Sequence, residues 1–144
     1  MKDKTLLYLE LTLIILLFYF GKFTAIFQNI IPSLVFILGT ILAIWSLLTM
    51  QVRYFSPFPE PPKKHKLAQR GLYKYMLHPM YTGIMLIGLA LLLSRPSFQI
   101  FLIYAVLMYV LDQKASLEEE LLSKIYPQYK PYKQKTKKFI PKIY

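Results

Sequence analysis

An all-α, integral membrane helical bundle with about four transmembrane segments is the fold that the sequence predicts. Three observations lead there: the composition, the gathering of apolar residues into four blocks, and the collection of cations on one side of those blocks. At 56% hydrophobic and 17% charged residues, the chain departs from the roughly 45–50% apolar and 25% charged content of soluble domains. A length of 144 residues allows one compact unit, with little left for a separate water-soluble core once most of the chain crosses lipid. Any site is then built from helix ends and the loops that join them.

The first apolar block runs from Thr5 to Phe20 and can be extended toward Phe27. The second, Ile30 to Met50, has 21 residues, enough to span a ~30 Å hydrocarbon core at a rise of ~1.5 Å per residue. The third, Met80 to Leu93, and the fourth, Phe98 to Leu111, have 14 residues each, a length expected of re-entrant or partly buried segments. Ser94-Arg95-Pro96-Ser97 reads as the turn between them. The pair forms a C-terminal helical hairpin, extended at its base by Tyr75 to Pro79 and by Asp112 to Ser116. Two regions follow: an N-terminal anchor of two helices, 1–51, and a core, 52–144, made of a polar loop, the hairpin and an amphipathic tail.

Charge orients the bundle. With four crossings, Lys2, Lys4, the six cations of residues 51–79 and the eight lysines from Lys114 to Lys142 share one side, leaving only Lys22 and Arg95 on the other. Such asymmetry predicts that both termini and the long loop face the cytoplasm. Lys2 and Lys4 before an apolar run resemble a signal peptide, but Phe18-Tyr19-Phe20-Gly21-Lys22 lacks a small-residue cleavage pattern, so the segment is expected to remain as an anchor. The absence of cysteine excludes disulfides and thiolate metal sites, and no metal site is expected. The net charge of +11 does not argue for nucleic acid. Its cations flank membrane segments and mix with aromatics in the tail from Tyr129 to Pro141, a pattern suited to anionic lipid. Glu10, about a turn into the first block, is either a functional group in lipid or a residue at headgroup level; its place near the block's end favours the headgroup.

The chemistry is concentrated in residues 65–83. His65-Lys66-Leu67-Ala68 leads to Gly71 and Tyr73, and then His78-Pro79-Met80-Tyr81-Thr82-Gly83 enters the third apolar block. Downstream stand Glu118-Glu119-Glu120-Leu121-Leu122, then Tyr126-Pro127-Gln128-Tyr129 with Tyr132, then Phe139-Ile140-Pro141. Together they resemble the His-x-Leu, Gly-x-Tyr, Arg-His-Pro-x-Tyr-x-Gly, Glu-Glu-x-x-Leu and Phe-Ile-Pro series of the isoprenylcysteine carboxyl methyltransferase family. The resemblance covers about 80 residues of the 144, and its specificity lies in the order and spacing of pieces that are individually weak. The first two blocks match only in being apolar.

The resemblance implies an integral membrane methyltransferase that uses S-adenosylmethionine and carries a methyl group to a lipid-like or prenylated carboxylate. Phospholipid N-methylation on the same architecture, or a non-catalytic scaffold, are the alternatives. It further implies cofactor contacts from His65, Lys66, Leu67, Ala68, Tyr73, His78, Pro79, Met80, Tyr81 and Glu118, and a substrate contact from Lys114. Three departures bear on the acceptor: Leu77 and Lys138 stand where the family has arginine, and Lys114 replaces an arginine that contacts substrate. Lysine lacks arginine's bidentate fork for a carboxylate.

The residues allow that chemistry on their own terms. Pro79 suits a helix's first turn and pushes His78 out of helical geometry, leaving free N–H groups near the His78–Tyr81 turn for a carboxylate. Gly71 permits close backbone approach, and Tyr73 and Tyr81 offer rings to a sulfonium at roughly 0.5–2 kcal/mol. Plainer readings compete. His78 can cap the helix, His65 can be a solvated loop residue, and Lys114 with Glu118 can be an i,i+4 surface pair. Tyr73, Tyr75 and Tyr81 can belong to an interfacial aromatic belt.

Overall fold

The computed structural model describes residues 2–50, 67 and 69–144. Five α-helices follow in order: α1 Lys2–Gly21, α2 Ile30–Met50, α3 Pro79–Ser94, α4 Phe98–Ile125 and α5 Tyr129–Lys135. Two 3-10 turns, Phe23–Gln28 and Gly71–Lys74, connect α1 to α2 and lead into α3. No β-strand forms among the described residues, which pair only at an isolated parallel bridge, Met76 with Lys137. Helices α1, α2 and α4 are long and apolar enough to cross a membrane, and α3 is a shorter apolar helix.

Local sequence explains the helices and their ends. In α2 the hydroxyls of Thr40, Ser46 and Thr49 donate to the carbonyls four residues back, at 2.8, 2.5 and 2.8 Å, so these hydroxyls are satisfied within an otherwise apolar helix. Pro79 occupies the first turn of α3, where its missing N–H costs nothing. Ser97 caps α4, its hydroxyl oxygen accepting from the Ile100 N–H at 3.2 Å.

The fourth apolar block is not a short segment. It continues without a break into a helix of 28 residues, Phe98–Ile125, about 42 Å long. Hydropathy falls at Asp112 but helix propensity does not: Gln113, Lys114, Ala115, Leu117 and the glutamates that follow are good helix formers.

The helices alternate in direction. Gly21 and Phe20 at the end of α1 lie beside Leu91 and Arg95 at the end of α3: the Arg95 guanidinium donates to the Phe20 carbonyl at 3.1 Å, and a Cβ on Gly21 would stand 3.0 Å from Leu91. Lys22 and Arg95 thus share one end of the bundle, as the four-segment division requires. Although the Ser94–Ser97 turn joins α3 to α4, the main packing partner of α3 is α2, and that of α4 is α1. The α2–α3 crossing is set by Gly39 and Gly83. A Cβ on Gly83 would come within 2.7 Å of the Gly39 carbonyl oxygen, and one on Gly39 within 2.8 Å of the Gly83 oxygen, so only hydrogen lets the backbones meet. The core lies between α1, α3 and α4 and includes Leu17, Met85, Leu91, Leu107 and Leu111.

Candidate active site

Three strands of sequence converge at the end of the bundle opposite Arg95: the approach to α3, the second half of α4, and the C-terminal tail. The tail secures the approach by main-chain bonds. Leu77 and His78 donate their N–H groups to the carbonyls of Lys137 and Lys138 at 2.8 and 3.0 Å, and the Thr82 hydroxyl donates to the Phe139 carbonyl at 3.0 Å. Lys138 in turn reaches α4, with Nζ 2.5 Å from Asp112 Oδ1 and 2.8 Å from Ser116 Oγ. Gly71 takes a φ of 56° with its α-carbon face pressed on Thr49 of α2, a conformation that favours glycine.

On this frame His78 is the N-cap residue of α3, but its side chain makes no capping hydrogen bond. Its ring is 6% exposed and lies between neighbouring carboxylates, Nε2 3.1 Å from Glu119 Oε1 and Nδ1 3.6 Å from Glu118 Oε2. Tyr81, one turn on, stacks on His78 with ring centroids 5.4 Å apart and donates its hydroxyl to Glu118 Oε2 at 3.1 Å. The second Glu119 oxygen meets Lys133 Nζ of α5 at 2.6 Å. The Tyr132 hydroxyl, also on α5, donates to the Tyr73 carbonyl. A narrow cavity opens beside His78 and Glu118, lined further by Leu67, Tyr73, Tyr129 and Tyr132.

Burial pushes the Tyr73, Tyr129 and Tyr132 phenols well above their usual range, with Glu118 adding to it at Tyr73 and Glu119 and Glu118 at Tyr129. These rings remain neutral; the Tyr132 proton is held by the Tyr73 carbonyl, and the Tyr73 and Tyr129 hydroxyls remain able to donate. The cavity therefore has aromatic faces, hydroxyl donors and one accessible carboxylate: the Glu118 side chain is 24% exposed against 5% for Glu119.

Lys114 and Glu10 depart from expectation together. Both are buried, at 3% and 5% exposure, and their side chains form an ion pair between α4 and α1. Glu10 is thus turned into the α1–α4 contact, which offers it a charged partner that α1 alone could not reveal. Lys114 is not a surface partner of Glu118; its ammonium also stands 5.4 Å from the centroid of the Tyr81 ring.

Of the residues implied by the resemblance, Leu67, Tyr73, His78 and Glu118 line the cavity. Pro79 and Tyr81 are buried next to it, and Met80 is half-buried against the core. His65, Lys66 and Ala68 lie outside the described residues. Tyr75 is exposed. The sequence did not single out Lys133, Asp112 or Lys138 as site residues, since nothing in spacing links them to His78. Glu119 stood within the Glu-Glu pair, but which of the two carboxylates faced the ring was not readable.

The sequence model of the family described as phospholipid methyltransferase matches residues 27–129. The chain belongs to that family. The phospholipid methyltransferases and the isoprenylcysteine enzymes, whose motifs the sequence resembles, fall within one superfamily of integral membrane methyltransferases, so the protein is an integral membrane methyltransferase by family. No curated protein and no solved structure matches the chain. The family match takes in α2, α3 and α4, with His78, Glu118 and Glu119, while α1 and most of the tail stand outside it. Among the described residues no cluster of three or more histidine, aspartate or glutamate side chains could hold a metal ion.

Proposed function

We propose that the protein is an S-adenosylmethionine-dependent methyltransferase whose acceptor is the amine headgroup of a membrane lipid, with its donor site facing the cytoplasm. The observation that carries the choice of acceptor is the Glu10–Lys114 pair. A carboxylate acceptor, as on a prenylated cysteine, needs a cation to meet it, and the lysine at the family's substrate position is already neutralised. An ammonium headgroup instead finds a carboxylate, Glu118, at the cavity wall. The cytoplasmic placement rests on the sequence's charge asymmetry, in which four crossings assign sixteen cations to the side of both termini and two to the other.

The residues present suit the donor. S-adenosylmethionine supplies a methyl group already activated as a sulfonium. Tyr73, Tyr129 and Tyr132 offer rings and neutral hydroxyls around the cavity, and Glu118 offers an acceptor for hydroxyl or ammonium groups of the donor. His78 and Tyr81 hold Glu118 in place. An amine must shed a proton before its lone pair can attack, and Glu118 is the exposed carboxylate that can take it, with His78 Nδ1 beside it. Alignment of amine and methyl carbon in a site shielded from water then supplies the main rate advantage, roughly 7–11 kcal/mol.

Calorimetric titration of S-adenosylhomocysteine into detergent-purified protein tests the donor site. Micromolar binding lost in Glu118→Ala and weakened in Tyr81→Ala is expected; a folded wild type that binds nothing, in lipid as well as detergent, would leave a non-catalytic scaffold. Transfer of labelled methyl to phosphatidylethanolamine rather than to a prenylcysteine is the expected acceptor result, and the reverse preference would refute the amine reading.

A further inference from the structure

Between α1, α3 and α4 lies an apolar cavity of about 110 Å³, walled by Ile14, Leu17 and Phe18 of α1, Ile84 and Leu91 of α3, and Leu107 of α4. No polar side chain lines it. Protein interiors pack to crystal density and leave few voids, and a void without polar partners excludes water and accepts apolar occupants. Gly88 lies at its wall, where a Cβ would come within 2.9 Å of the Tyr104 ring and 3.4 Å of Leu17; a side chain there would crowd the space.

Helix register ties the cavity to the polar cluster. Along α1, Ile14 is one turn beyond Glu10, about 6 Å; along α3, Ile84 is about 4.5 Å beyond Tyr81; along α4, Leu107 is two turns, about 10 Å, before Lys114. All three helices therefore change from polar to apolar in the same direction, from the Glu10–Lys114–Tyr81 group toward the cavity. Glu118, the carboxylate assigned to the headgroup, lies one turn beyond Lys114 on α4, about 6 Å, so a lipid with its head at Glu118 and its tail in the cavity follows the same profile.

We propose that this cavity receives one acyl chain of the lipid acceptor and that α1, which lies outside the family match, serves as a wall of the acceptor site. The inference rests on the lipid methyltransferase reading for the identity of the lipid. In place of an anchor alone, α1 then contributes to specificity through Ile14, Leu17 and Phe18.

The test places the full-length protein in nanodiscs that contain phosphatidylethanolamine with a diazirine at mid-chain, and maps the photoadducts by mass spectrometry. Adducts enriched on Ile14, Ile84 and Leu107 over the outward-facing Ile15 and Leu102 are expected, and they should fall in Ile14→Phe and in Ile84→Phe, which fill the cavity from different helices. Equal labelling of inner and outer residues, or labelling unchanged in both variants, overturns the proposal. Turnover gives a second readout. Each variant should raise KM about tenfold or more for a long-chain acceptor and leave a hexanoyl acceptor with the same headgroup unaffected; equal effects on both lengths count against the site. S-adenosylhomocysteine binding should stay at the wild-type level in both, reporting an intact fold. Enriched cavity labelling in a wild type that methylates no acceptor would sink the catalytic reading and leave the acyl-chain site standing.

Discussion

His78 and Glu119, 41 residues apart in sequence, share a buried 3.1 Å contact that joins the entry of α3 to the second half of α4. Glu119 spends its other oxygen on Lys133 of α5 at 2.6 Å, so one carboxylate ties three elements together. Glu118, one residue earlier, points to the cavity instead. The adjacent glutamates thus differ in place, Glu119 tied into the frame and Glu118 lining the cavity, because a step of one residue on a helix rotates a side chain by about 100°.

Replacing Glu119 should therefore damage the frame before the chemistry. Glu119→Ala leaves the buried His78 ring without its acceptor and is expected to cost about 1–3 kcal/mol, read as a lower unfolding midpoint in detergent. Glu119→Gln keeps an oxygen for His78 and should cost less. Glu118→Gln should leave the midpoint within about 0.5 kcal/mol while weakening donor binding.

The Glu10–Lys114 pair gives a different pattern. Removing one partner strands a buried charge, at a cost of about 3–5 kcal/mol, whereas removing both together with well-packed apolar residues is near neutral. Glu10→Leu and Lys114→Met alone should each fail in thermal stability, and the double variant should recover it. If the acceptor is an amine, the double variant also keeps its methyl transfer, measured with phosphatidylethanolamine in vesicles.

These two cases mark what the sequence could and could not disclose. Apolar blocks and charge asymmetry are one-dimensional properties, so the bundle, the ends of α2 at Ile30 and Met50, and the shared end of Lys22 and Arg95 were legible. The His-Pro turn and the Glu-Glu pair pointed to one site because motif order is also linear. The Glu10–Lys114 pair was not legible: its partners are 104 residues apart, and α1 read by itself offers Glu10 only lipid or water. Nor was the length of α4, whose second half trades hydropathy for amphipathicity without losing helix propensity.

The glycine crossing of α2 and α3 offers a test of packing alone. Gly83→Ala puts a Cβ against backbone on the facing helix, at 2.7 Å from an oxygen and 2.8 Å from the Ala43 nitrogen, atoms that cannot rotate away. An overpacking cost of about 1–3 kcal/mol is expected, visible as a lowered midpoint. Gly71→Ala should also destabilise, by strain at its positive φ.

Alkaline pH should probe the tyrosine-lined cavity. The Tyr129 phenol is raised by burial and by Glu119 and Glu118, so below about pH 10 it is protonated both folded and unfolded and costs nothing. Above that, the unfolded chain releases the proton and the folded one retains it, so stability falls as pH rises. Unfolding midpoints followed from pH 8 to 11 should drop at the alkaline end, and Tyr129→Phe should show a shallower drop than wild type.

The tail supplies the last prediction, because it separates positioning from stability. Lys138 is 60 residues beyond His78 in sequence yet sets the backbone of His78 through its own carbonyl, and its ammonium fastens that carbonyl's segment to Asp112 and Ser116. The ammonium is partly exposed, so its loss costs only about 1 kcal/mol, but the loosened segment is the one on which His78, and through it Glu118, depends. Lys138→Met should therefore lower the unfolding midpoint little while weakening S-adenosylhomocysteine binding by about fivefold, the factor that 1 kcal/mol represents. Lys138→Arg, which can reach the same acceptors, should restore the affinity. Calorimetry and thermal unfolding on the same preparations decide the matter: unchanged affinity in Lys138→Met would mean that the main-chain bonds from Leu77 and His78 hold the tail unaided.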